Sequence, residues 1–225
     1  MRSFLLIVSL FFLASCSNRL PRSAIVNTDT IVLNNGSKIT ILTEHAINGD
    51  VVYDTNNHLN VVTRGDTAQV VGLKVAQFAI GLFGGVGGSV NGFTKEDLKG
   101  TYITSVPNQT MDILKPQFYV ILKKLKANKQ KENTITIRPY KFKLIYDGLT
   151  DNKYNFIYNT TIRSDHYSFE CSSDDLVEDD KSKPYTDWEE NNYQLVQDVT
   201  SKAITACMNR LKSSKNISDL ERALN

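Results

Sequence analysis

Histidine, cysteine and tryptophan are scarce in this chain: three, three and one among 225 residues. His45, His58 and His166 fall in three separate turn or strand-end contexts, without an H-E-x-x-H pair or the His/Cys spacing of a metal site. No metal ligand set is therefore assigned. The G-x-S-x-G elbow of serine hydrolases is also absent. A surplus of one charge is missing too: 26 Lys+Arg against 24 Asp+Glu leave a formal charge of +2. A nucleic-acid binder would show a dominant basic face, so that class is set aside. The glycines at 84–88 lack the Lys-Ser/Thr and the preceding clear strand of a phosphate loop. Carboxylates gather in loops, where burial cannot tune their pKa values. Trp188 stands near an expected helix start and reads as a packing residue. No catalytic residue and no cofactor are assigned, and a hydrolase of unrecognised type is kept only as an alternative.

What is present begins at the N-terminus. Arg2 supplies a positive start, Phe4 to Leu13 is apolar apart from Ser9, and Ala14-Ser15 are small. The run is too short to span a bilayer and has the pattern of a secretory signal. Leu13-Ala14-Ser15-Cys16 resembles the lipobox of bacterial lipoproteins at all four positions. The resemblance implies a diacylglycerol on the Cys16 thiol, cleavage before Cys16, and acylation of the new amine. A single acyl chain contributes about 0.8 kcal/mol per buried CH₂ and holds a protein only marginally; three chains make the anchor effectively permanent. Ser17 follows the cysteine where an Asp would imply retention in the inner membrane, and no acidic run follows. By the resemblance the chain sits in the outer membrane, on its periplasmic face.

Residues 1–15 are thus read as signal, 16–28 as a lipidated tether containing Pro21, 29–106 as β-hairpins with a Gly-rich apolar segment, and 107–225 as an α+β body. In the first body segment, Ile31–Leu33 and Lys38–Leu42 flank Asn34-Asn35-Gly36-Ser37, the chemistry of a tight hairpin turn. Val51–Tyr53 and Leu59–Thr63 form a weaker second pair. Residues 67–92 then carry seven glycines and a single charge, Lys74. Gly84, Gly88 and Gly92 have the spacing of a flat helical stripe for self-association or membrane contact. Each glycine costs a helix about 1 kcal/mol relative to alanine, so the competing reading is a buried helix from Thr67 to Leu82 running into a Gly-rich loop.

In the second body segment, Met111, Leu114, Phe118, Ile121, Leu122 and Leu125 recur at helical spacing. Pro116 predicts a kink or a start near Lys115. The helix ends in KKLKANKQK, where Lys123, Lys124 and Lys126 are candidate contacts for anionic lipid, against a plain solvated helix end. Alternation then switches to period two. Ile135 and Ile137 are followed past Pro139 by Tyr140, Phe142, Leu144 and Tyr146 in the other parity, which predicts a bulge. Tyr154, Phe156, Tyr158 and Ile162 make a partner strand, and Tyr167, Phe169 and Cys171 a third. The acidic run at 172–183 lacks the glycine and terminal glutamate of a calcium loop and reads as a solvated loop. Thr186 and Glu189 have capping-box spacing ahead of a long helix whose stripe includes Val196, Val199, Ala203, Cys207 and Leu211. The fold expected is α+β, an antiparallel sheet packed on that C-terminal helix. Cys171 and Cys207 both point into this interior, and in an oxidising compartment they are expected to form a disulfide, two buried free thiols being the competing reading.

The order of helix, strands and long C-terminal helix loosely resembles small outer-membrane assembly and transport-auxiliary lipoproteins. The function expected is that of a lipid-anchored binding or assembly accessory with an envelope protein partner. A glycine-zipper lipoprotein that forms homo-oligomers or acts on membranes is the second expectation.

Overall fold

Asn34 to Ser37 turn the chain back on itself, as the sequence predicts. Gly36 takes φ +84°, a conformation open to glycine at little cost, and the Leu33 N–H donates to the Ser37 carbonyl at 2.8 Å. The turn joins β1 (Ser23–Val32) to β2 (Lys38–Ala46). These coordinates are a computed structural model, which describes residues 23–46, 57–68, 95–128, 132–148 and 152–225. β1 begins at Ser23, so residues 23–28 belong to a strand and not to the tether. Their lack of period has two causes: β1 is an edge strand exposed along most of its length, and a bulge between Ile25 and Asn27 reverses its parity.

β5 (Asn133–Tyr146) and β6 (Lys153–Ser164) form the long antiparallel hairpin read from the alternating aromatics. The register slips between Pro139 and Lys141, the expected bulge. It has a topological role. On its other side β5 pairs in parallel with β2 through Asn133–Ile137, and then with β3 (His58–Val62) through Lys143–Ile145. Pro139, which has no N–H to donate, falls in the gap between those two partners. The eight-stranded sheet is therefore mixed; both parallel pairs join strands far apart in the chain, a relation that periodicity does not encode. Residues 51–53, the expected hairpin partner of β3, lie outside the described residues. The neighbours of β3 are β5 and, antiparallel, β4 (Thr101–Pro107). Gly100, at φ +69°, opens β4: a Cβ there would come within 2.6 Å of the Val61 carbonyl oxygen.

On the far side of β6 lie β7 (Tyr167–Ser172) and the short β8 (Ser182–Pro184). Between them the acidic run is ordered. A 3₁₀ turn at Ser173–Asp175 is closed by a capping box between Ser172 and Asp175, and α2 (Glu178–Lys181) follows. Asp175 pairs with Arg210 at 2.7 Å and Asp180 with Lys202 at 2.9 Å. The sequence reading of a solvated loop missed these cations because they lie in the next helix.

α1 (Thr110–Leu122) passes through Pro116, which sits exposed in its second turn, so the helix starts five residues before Lys115. α3 (Tyr185–Leu211) packs along α1 and touches β4, β6, β7 and β8. It is broken at Glu190–Tyr193, where Asn191, Asn192 and Tyr193 hold φ of 50°, 55° and 62°. Thr186 does not cap it: the N-cap is Pro184, and the Thr186 hydroxyl turns to Asp187. α4 (Ser214–Ala223) is capped by the Ser213 hydroxyl. Phe118, Phe142, Phe156, Tyr158 and Trp188 fill the core under these helices, with the Trp188 indole N–H donating to the Tyr154 carbonyl at 2.9 Å. Burying such side chains contributes about 25 cal/mol per Å² of apolar surface. Cys171 and Cys207 are bonded, with Cα atoms 5.3 Å apart, tying β7 to α3.

Candidate functional site

Of the residues singled out in the sequence, Cys16 and Gly84, Gly88 and Gly92 lie outside the described residues. Lys123, Lys124 and Lys126 are exposed, because Leu125 and Ala127 take the buried positions between and after them. Their backbone is occupied. The Lys123 carbonyl accepts from Asn34 N–H at 3.2 Å, Ala127 accepts from Asn35 and Ser37, and Lys126 N–H donates to Glu221. The first hairpin turn and α4 thus fix this segment from two sides and leave three ammonium groups facing outward. Among the described residues, no group of three or more His, Cys, Asp or Glu is arranged to hold a metal ion, and no helix is long and apolar enough to cross a membrane.

His45 and His58 stand on either side of residues 47–56. The His45 ring bonds Asn57, and burial holds its pKa below the ordinary value. His58 Nδ1 meets the Tyr102 hydroxyl. His166 lies exposed in the β6–β7 turn.

Two places gather polar groups in a way the sequence did not advertise. The first surrounds Tyr146, at the end of β5. Residues 64–68, a helical turn following β3, approach it: the Arg64 guanidinium sits 5.4 Å from the ring centre, and the Tyr146 hydroxyl donates to Thr67 Oγ1 at 2.9 Å. Residues 95–98 approach it as well. The Lys95 ammonium is 4.5 Å from the same ring and donates to the Tyr146 and Asp147 carbonyls. Glu96 pairs with Lys141, and the buried Lys143 donates to the Glu96 and Leu98 carbonyls at 3.0 and 2.8 Å. Both ends of the connection that contains the glycine-rich stretch are therefore pinned to one tyrosine.

The second is an open cleft of about 610 Å³ between β7 and α4, lined by His166, Tyr167, Ser168 and Phe169 on one wall and by Lys215, Asn216, Asp219 and Arg222 on the other. Tyr167 and Phe169 stack with ring centres 6.4 Å apart, and the Arg210 guanidinium lies 4.5 Å from the Phe169 ring centre. The Tyr167 hydroxyl is shielded from solvent and finds no hydrogen-bond partner among the described residues, and its burial pushes its pKa up to about 12. On α4, Lys215 and Arg222 both reach Asp219, at 2.8 and 3.2 Å, and the Lys215 hydrogen bond holds the Asp219 carboxyl below the usual range. The i,i+4 and i,i+3 spacing of these charges was visible in the sequence. Their apposition to the edge of β7 was not, since it depends on how the C-terminal helix folds back.

Comparison with protein-family models, with curated proteins and with solved structures found no match to this chain.

Proposed function

We propose that this protein is a lipid-anchored envelope protein, held in the outer membrane with its body in the periplasm, and that it acts as a binding or assembly accessory for an envelope protein partner. The observation that carries the reading is Leu13-Ala14-Ser15-Cys16, placed directly after a short apolar signal. The Cys171–Cys207 bond supports it, since such bonds persist in oxidising compartments. β1 starts seven residues after Cys16, so a lipid on that cysteine keeps the fold within ~25 Å of extended chain from the bilayer surface. Labelling cells with an alkyne fatty acid and fractionating the envelope tests the proposal. The wild-type protein should carry label in the outer-membrane fraction and Cys16→Ala should carry none; equal labelling of the two defeats it.

A second reading has its own support. The two described flanks of the Gly-rich stretch converge on Tyr146, which gives a self-associating or membrane-contacting segment a single rigid base. Replacing Gly84 and Gly88 by leucine removes the small-residue stripe while adding apolar surface. A zipper then loses its oligomers in detergent sedimentation, and unchanged sedimentation counts against it.

A further inference from the structure

β7 borders the sheet beside β6, so alternate residues direct their backbone groups away from it. Two bonds identify the outward set. The Glu170 carbonyl accepts from Arg210, and the Ser172 N–H donates to Asp175 at 3.2 Å. By alternation Ser168 belongs with them. Arg210 and the capping turn occupy the other two, whereas Ser168, exposed and lining the cleft, directs its N–H and C=O away from β6.

The facing wall has a definite charge. Lys215 and Arg222 share the single carboxylate of Asp219, and their side chains stay 84% and 76% exposed. Two cations on one anion leave a positive charge over, on arms free to swing toward a newcomer. Lys215 and Arg222 are seven residues apart, ~10 Å along the helix. Carboxylates at alternate residues of a strand repeat every ~7 Å, within reach of both arms. Glu170, the nearest acid of β7, turns its side chain toward Asn159 on the other face.

We propose that this cleft binds an extended peptide segment with carboxylates at alternate residues, which adds as a strand to β7 at Ser168 while its acidic side chains meet Lys215 and Arg222. Main-chain bonds supply affinity and the alternating side chains supply choice of partner, as in other strand-addition sites. The inference rests on the reading of the protein as a binding accessory and specifies the chemistry of its partner.

The test uses the full chain in detergent and the fluorescent peptide Glu-Val-Glu-Val-Glu, read by anisotropy. Lys-Val-Lys-Val-Lys serves as the charge control. Two further versions carry backbone N-methyl groups on the valines or on the glutamates. Residues two apart in a strand direct their N–H groups the same way, so one methylated version should lose about tenfold or more in affinity while the other keeps it. The lysine peptide should not bind. Lys215→Glu with Arg222→Glu, both at exposed positions, should abolish binding of the acidic peptide, and hydrogen exchange should slow at 166–170 when that peptide is bound. Failure of the acidic peptide to bind, equal binding of the lysine peptide, or equal binding of both methylated versions would overturn the proposal; the last outcome marks a simple anion site. Fatty-acid labelling at Cys16 reads the anchoring independently, so either idea can fail without the other.

Discussion

Cys171 and Cys207 are fully buried, one on β7 and one on α3, and close a loop across 36 positions. In the loop-entropy model such a link constrains the unfolded chain by roughly 3–4 kcal/mol, a large share of the stability of one domain. Inside the loop lie the capping turn, α2 and β8, which are mostly polar. Urea unfolding of Cys171→Ala/Cys207→Ala should show a loss of that size, and reductant should lower the midpoint of the wild type but not of the double variant. Asp29 illustrates a weaker link. It accepts from Lys115 at 2.6 Å and from the Tyr119 hydroxyl at 3.1 Å, fastening β1 to α1. The Lys115 hydrogen bond holds its carboxyl below the ordinary range, while burial and then the Asp29 contact push Tyr119 up to about 12. A depressed carboxyl pKa stabilises the fold above the unfolded value and loses that contribution as pH falls through the folded value. Asp29 is a third exposed, so solvent screening limits the effect to about 0.5–1 kcal/mol. Asp29→Asn should cost that much at pH 7 in chemical denaturation, and the gap to wild type should close below about pH 4.

The break in α3 is the least regular element of the body. Three successive non-glycine residues adopt left-handed φ, and each such residue costs roughly 1–2 kcal/mol unless its surroundings compensate. Here they do. Asn tolerates this region, Tyr193 is buried with its hydroxyl 2.7 Å from that of Tyr185, and Asn192 accepts from Ser105 on β4, covering that edge. Asn191 is exposed. Asn191→Val should therefore destabilise the fold by about 1–2 kcal/mol through the backbone alone, measured as a lowered urea midpoint. Element type was legible wherever one face is buried: the Tyr154–Ile162 alternation, the Val196–Leu211 stripe and the Pro139 parity change all correspond to real features. Legibility failed where the pattern is blank or misleading. β1 is too exposed to alternate, Thr186 and Glu189 imitate a capping box, and the Asn191–Asn192 pair, the local mark of the left-handed turn, was read through as continuous helix. Pairing was the least readable level, because the parallel contacts of β5 with β2 and β3 join distant segments.

At the scale of the molecule, three parts lie around one mixed sheet: the exposed first strand, the Tyr146 cluster where residues 64–68 and 95–98 meet, and the cleft between β7 and α4. Of the candidate site residues, only the cysteine pair could be matched from the sequence to a contact, since parity and stripe position locate both side chains in one interior. The Tyr146 cluster draws on residues 48 or more positions before that tyrosine, the β7–α4 cleft on walls 46 or more positions apart, and no local motif marks them. The anchoring claim rests instead on four adjacent residues. The intact mass of the protein extracted from membranes without reductant reads it most directly. The account predicts a chain beginning at Cys16, heavier by a diacylglycerol and one further acyl chain, and lighter by two hydrogens for the Cys171–Cys207 bond. A mass corresponding to any other N-terminus, or to an unmodified Cys16, would contradict it.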